Sequence, residues 1–146
     1  MFQVIENSVI CYYRKSVNNP GYYDIYIAAN GSVYAPENSS YLFSFLGYEN
    51  MDNLNLGSFF DTSNVTNMKY MFQHTGYEMN SLSLRDKFKT AKVTDMLEMF
   101  LETGHNSMIT LNLGNFWVEH TDNINMKNIF VDCGKNGTIN SIVVKK

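Results

Sequence analysis

The sequence predicts an α/β repeat fold, a small solenoid of parallel strands and short helices behind an N-terminal β cap. The first observation is a phrase spelled four times. Met51-Asp52-Asn53-Leu54-Asn55-Leu56 recurs as Met79-Asn80-Ser81-Leu82-Ser83-Leu84, as Met108-Ile109-Thr110-Leu111-Asn112-Leu113 and as Ile139-Asn140-Ser141-Ile142-Val143-Val144. Its central apolar residue moves from 54 to 82, 111 and 142, in steps of 28, 29 and 31. Each copy alternates apolar and polar residues, the period of a strand with one face buried. The second observation is a phrase on the same beat: Val65-Thr66-Asn67-Met68-Lys69-Tyr70-Met71-Phe72 is echoed by Val93-Thr94-Asp95-Met96-Leu97-Glu98-Met99-Phe100, and more weakly by residues 124–130. A fixed period of this length means stacked units, none able to bury its apolar face alone.

Taken in order, residues 2–5 and 8–13 are rich in β-branched and aromatic residues and read as strands. Asn19-Pro20-Gly21 marks a turn, because proline pre-sets one dihedral and glycine accepts positive φ. Residues 22–27 form the next strand, and Asn30-Gly31 is a hairpin turn leading to Val33-Tyr34. Ile25 lies 29 residues before Leu54, so 22–27 can open the repeat ladder, or 8–34 can form a meander capping it. The reading adopted is that one strand does both, which makes 1–34 the cap and 35–146 the repeats of one domain.

Phe43, Phe72, Phe100 and Phe130 follow one another at 29, 28 and 30 residues. Thr66 and Thr94 stand where N-caps of short helical turns belong. Met68, Met71 and Phe72 then fall at i, i+3, i+4, as do Met96, Met99 and Phe100, so each set forms one apolar helix face. Gly47, Gly76, Gly104 and Gly134 bend the chain after each turn. Trp117-Val118-Glu119-His120 is an insertion loosening the third copy, and 139–144 is the closing strand.

The stretch Phe60-Asp61-Thr62-Ser63-Asn64-Val65-Thr66-Asn67-Met68-Lys69-Tyr70-Met71-Phe72 closely resembles the BspA-like leucine-rich repeat of bacterial surface proteins. That repeat reads Phe-Asp-Thr-Ser-x-Val-Thr-x-Met-x-x-Met-Phe, followed after a gap by Leu-x-x-Leu-x-Leu. The likeness is specific over 54–72 and survives in 82–100, where Lys89-Thr90-Ala91-Lys92 replaces Asp-Thr-Ser-Asn; it is degraded in 111–130. The resemblance implies a right-handed, leucine-rich-repeat-like solenoid whose usual role is binding, typically in secreted or lipid-anchored adhesins.

Composition narrows the function classes. At 146 residues and a net charge of −3, with pI about 5.5, the chain has no global pull toward nucleic acid or anionic membrane. Its apolar runs fall short of the roughly 18–20 residues of a bilayer span. Residues 1–6 lack the pattern of a signal peptide, although a processed chain would look the same. Cys11 and Cys133 stand at opposite ends of the chain, so no disulfide is expected. These features together favour a cytoplasmic protein, with a secreted or surface location the alternative if the chain is processed.

No catalytic constellation emerges. His74, His105 and His120 have no partner at metal-ligand spacing, and Glu98 with Glu102 reads as a solvated face. Phosphate loop and nucleophile elbow are both missing, and no cofactor is expected. Two surfaces stand out. Alternation turns Asn53, Asn55, Ser81, Ser83, Thr110 and Asn112 away from the core, and parallel stacking sets them about 4.8 Å apart per strand. Arg85, Lys87, Lys89 and Lys92 put four basic residues within eight on an acidic chain. The expected function is a non-enzymatic protein–protein interaction module using one of these surfaces, with no membrane partner and no direct contact to nucleic acid. The alternative is a small phage- or mobile-element-encoded inhibitor of a host nucleoprotein complex, such as a CRISPR effector; an enzyme comes third.

Overall fold

The computed structural model describes residues 9–84, 86–108, 110–114 and 124–137, together with the backbone of 141–144. The expected strand at 2–5 and the insertion at 117–120 lie outside the described residues. Two compact units divide the chain, Met1–Val33 and Tyr34–Lys146.

In the first unit β1 (Val9–Lys15) and β2 (Tyr23–Ala29) pair antiparallel, with Tyr12 opposite Tyr26 and Arg14 opposite Asp24. The turn forms where proline and glycine call for it: Ser16 N–H donates to the Tyr22 carbonyl at 2.9 Å. Tyr12 stacks on Tyr26 at 5.0 Å, and the Arg14 guanidinium lies 4.7 Å from the same Tyr26 ring. The strand expected to double as cap and first ladder strand pairs with β1 and has no place in the parallel sheet. Nor does Asn30-Gly31 close a hairpin, since β3 (Val33–Tyr34) is hydrogen-bonded to β5 (Phe60–Asp61).

The second unit holds a parallel sheet in the order β4 (Asn53–Asn55), β6 (Ser81–Ser83), β7 (Thr110–Gly114), β8 (Ser141–Val144). Its register runs Leu54, Leu82, Leu111, Ile142 across the strands, the residues that the repeat aligns. A second ladder joins Asn38, Asn67, Asp95 and Asn125 by parallel bridges. Each of these four residues opens a rung of consecutive turns, spanning roughly 38–46, 67–75, 95–103 and 125–133.

The right-handed, leucine-rich-repeat-like α/β solenoid is overturned here. Among the described residues there is no α-helix, only a single 3₁₀ turn at Lys135–Gly137, and the sheets are short, with strands of two to seven residues. The fold is strand-rich. The physical reason lies in the amides of the rungs. An α-helix spends each interior N–H on the carbonyl four residues back. Here Met68, Tyr70, Phe72 and His74 donate to Asp95, Leu97, Met99 and Leu101 of the next rung, at 2.8–3.0 Å. Only the alternate amides close turns within a rung: Met71 to Met68, Gln73 to Tyr70 and Thr75 to Phe72, each at 3.1 Å. Such turns require positive φ at Tyr70 (58°) and His74 (53°), which an α-helix cannot contain. Thr66 and Thr94 cap no helix; their hydroxyls face the Glu37 and Thr66 carbonyls of the preceding rung at 3.4 and 3.3 Å.

The core is a column between sheet and rungs. Phe43, Phe72, Phe100 and Phe130 stack in succession at 5.3, 5.4 and 5.5 Å. Met68, Met71, Met96 and Met99 are fully buried beside them, as are Leu82, Leu84, Leu111 and Leu113. Buried Thr75 and Thr103 satisfy their hydroxyls on the Phe43 and Phe72 carbonyls, at 2.5 and 2.6 Å. Gly104 ends its rung at φ +61°, and a Cβ there would stand 2.3 Å from the Met108 Cβ. Gly104→Ala should therefore cost about 2–5 kcal/mol, strain and overpacking combined. Gly57→Ala, at φ +68° but facing open space, should lose only about 1–2 kcal/mol of backbone strain. Equal shifts in the urea midpoint would show that the approach to Met108 is not close.

Candidate functional site

Of the surfaces singled out from sequence, the polar strand side assembles as a grid. Asn53 lies beside Ser81 and Ser81 beside Thr110; Asn55 lies beside Ser83 and Ser83 beside Asn112. Asn53, Asn55 and Ser81 are exposed, whereas Ser83, Thr110 and Asn112 are half-buried. Two of the six are committed to the backbone: Asn55 Oδ1 accepts from Gly57 N–H at 2.9 Å and Asn112 Oδ1 from Gly114 N–H at 3.0 Å. These bonds to the backbone two residues on leave their amides less to offer a partner.

The basic run is anchored against the preceding repeat. Arg85 lies outside the described residues. Phe88 is buried in the core, its ring 6.0 Å from Phe72, so the run is pinned at its middle. Lys87 Nζ lies 5.7 Å from the Phe59 ring centroid, and Lys92 Nζ donates to Asn64 Oδ1 at 2.8 Å. Lys89 exchanges hydrogen bonds with the Thr62 hydroxyl through its backbone N–H and carbonyl. Partial burial pushes the Asp61 carboxyl up, but hydrogen bonds from Ser63 and the charges of Lys87 and Lys89 outweigh it and hold the group below its ordinary value.

A third surface lies on the outer side of the rungs. The residues at positive φ, Tyr41 and Phe45 on the first rung and Tyr70 and His74 on the second, meet there in pairs. Tyr41 packs on Tyr70 at 4.8 Å and Phe45 stacks on His74 at 4.6 Å. Just beyond the turns, Tyr48 packs on Tyr77 at 5.0 Å, and Tyr77 stacks on His105 at 5.2 Å. Tyr41 is 53 % and Phe45 58 % exposed. Burial raises the Tyr77 phenol, reinforced by Tyr48, Glu102 and Glu78. Farther along, the strip turns acidic: His74 Nδ1 lies 3.0 Å from Glu102 Oε2, and Asn128 Nδ2 donates to Glu98 Oε1 at 3.2 Å. Sequence reasoning missed this strip. The 29-residue spacings of Tyr41 to Tyr70 and Tyr48 to Tyr77 were the available signal.

Among the described residues the histidines lie apart from one another. His74 touches Glu102, while His105 Nδ1 donates to the Asp132 carbonyl at 3.0 Å; His120 lies outside the described residues. Among the described residues no group of three His, Cys, Asp or Glu side chains could hold a metal ion. Cys11 is exposed and unpaired, and Cys133 is buried, its thiol pushed up to about 12 by desolvation. Among the described residues no helix is long and apolar enough to cross a membrane.

The fold and its surfaces define a strand-rich repeat protein whose side chains stand in columns one rung apart. Over residues 40–145 the chain belongs to the family described as Mycoplasma protein of unknown function, DUF285. No curated protein matches it, and no solved structure does.

The Asp61 cluster makes a pH prediction. A carboxyl depressed in the folded state stabilises above its unfolded pKa, and that stability is lost as pH falls through the folded value. Changing Lys87 and Lys89 to Met should raise the folded pKa and so begin acid unfolding at higher pH. An NMR titration that leaves the Asp61 carboxyl unmoved in the double variant would remove the lysines from this account.

Proposed function

We propose that this chain is a non-enzymatic protein-binding module whose contact surface is the outer side of the first two rungs. The observation that carries the reading is the exposure of Tyr41 and Phe45 on a backbone pinned amide by amide to the rung below. Binding energy at protein interfaces concentrates in a few aromatic side chains, and rigid aromatics lose little entropy on contact. The polar grid of Asn53, Asn55, Ser81, Ser83, Thr110 and Asn112 offers small neutral groups, which are weaker anchors. Lys87, Lys89 and Lys92 can steer an acidic partner toward the flank without carrying the contact. The likeness of residues 54–72 and 82–100 to BspA-like repeats supports binding over catalysis. Two cysteines that do not pair are in keeping with a cytoplasmic setting.

The test is a comparative pull-down from lysate of the source cells. Tyr41→Ser with Phe45→Ser should reduce capture of the proteins held by the parent at least about tenfold, as two lost anchors would. Lys87, Lys89 and Lys92 changed together to Ala should retain them, with less sensitivity to salt than the parent, because the screened charges are gone. Full capture by the aromatic variant would move the contact to another surface.

A further inference from the structure

The rung ladder has a direction. Through the turns of each junction the earlier rung donates: Ser39, Tyr41, Phe43 and Phe45 give their N–H groups to the carbonyls of Asn67, Lys69, Met71 and Gln73, and bonds in the reverse sense, such as Gly76 N–H to the Leu46 carbonyl, lie only at the rung ends. Met96, Glu98, Phe100 and Glu102 likewise give theirs to Asn125, Lys127, Ile129 and Val131. The first rung is thus left with outward carbonyls at Asn38, Ser40, Leu42 and Ser44, which accept no hydrogen bond among the described residues. The last rung is left with N–H groups at Met126, Asn128 and Asp132, which donate none among the described residues. The three donors match, in register, three of the four carbonyls at the other end.

The apolar column and the sheet are open in the same sense. Leu42 occupies the register of Met71 and Met99, which are fully buried, yet it is 40 % exposed. On the last rung Ile129 and Phe130 are half-buried where Met99 and Phe100 are fully buried, and Val131, in the register of Gln73 and Leu101, is 42 % exposed. β4 and β8 are the two edges of a sheet that is parallel throughout, so a translated copy would place its β8 beside β4 in the same direction.

We propose that copies of this chain associate head to tail, the last rung of one donating to the first rung of the next. The occupant of the open end is a second copy because the other end of this chain carries the matching donors and strand direction. Such a contact joins two different surfaces and does not close on itself, so it continues as an open series. Unpaired edges of this kind are templates for pairing unless they are covered.

The experiment is sedimentation velocity on the full chain and two single-end variants. The parent should show a sedimentation coefficient that climbs with concentration without levelling at a dimer. Leu42→Glu, which blocks the accepting end, and Val131→Glu, which blocks the donating end, should each remain monomeric. Mixed together they should form dimers and nothing larger, because one intact donating end then meets one intact accepting end. Should Leu42→Glu melt early in dilute solution, Ser40→Glu on the same rung takes its place. A parent that stays monomeric at every concentration overturns the proposal, and so does a mixture that stays monomeric. A dimer of either variant alone also overturns it, since that contact would join like ends.

Discussion

Along each of the first three rungs the backbone gives every second amide to the next, and the other features of the second unit follow from where those protons go. A rung that closed all of its hydrogen bonds internally would be a helix, free to sit at any register against the next. A rung that spends half of them outward is held at one register and one distance. That distance is the one at which Phe43, Phe72, Phe100 and Phe130 stack at 5.3–5.5 Å. The aromatic column therefore reports the backbone spacing as much as it contributes to it.

The arrangement has a conformational cost. Alternating the amides puts two residues per rung at positive φ, and none of the eight is glycine: Tyr41, Phe45, Tyr70, His74, Glu98, Glu102, Asn128 and Asp132. At about 1–2 kcal/mol each, that is about 2–4 kcal/mol per rung. Four inter-rung bonds contribute a net of about 0.5–1.5 kcal/mol each, about 2–6 in total, so the backbone roughly balances itself. Burial of the phenylalanines, methionines and leucines then decides the outcome. The same strained positions aim their side chains outward, which is why the exposed aromatic strip coincides with them.

Much of this was legible in the sequence. The strand register of Leu54, Leu82, Leu111 and Ile142 and the phenylalanine column follow directly from the repeat, because stacked units must bury equivalent residues together. The glycine bends were visible for the same reason. The helix was misread because Met68, Met71 and Phe72 at i, i+3, i+4 suit a helix face equally well, and the turns bury the same three residues through bonds of i to i−3. Only His74, Asn128 and Asp132 belong to the types that visit positive φ readily; Tyr70 and Glu98 carry no such mark. Phe88 was hidden among lysines, where charge dominated the reading and the repeat position of Phe60, 28 residues earlier, was the better guide. The aromatic strip was hidden because its tyrosines and phenylalanines resemble core residues until the turn geometry places them outside.

The most direct measurement of the alternate-amide ladder is the through-hydrogen-bond coupling between amide nitrogen and carbonyl carbon in labelled protein. The ladder predicts a coupling from Phe72 nitrogen to the Met99 carbonyl, with matching ones from Tyr70 to Leu97 and His74 to Leu101. A coupling from Phe72 nitrogen to the Met68 carbonyl would instead mark an α-helical turn, and the account of this fold would fail.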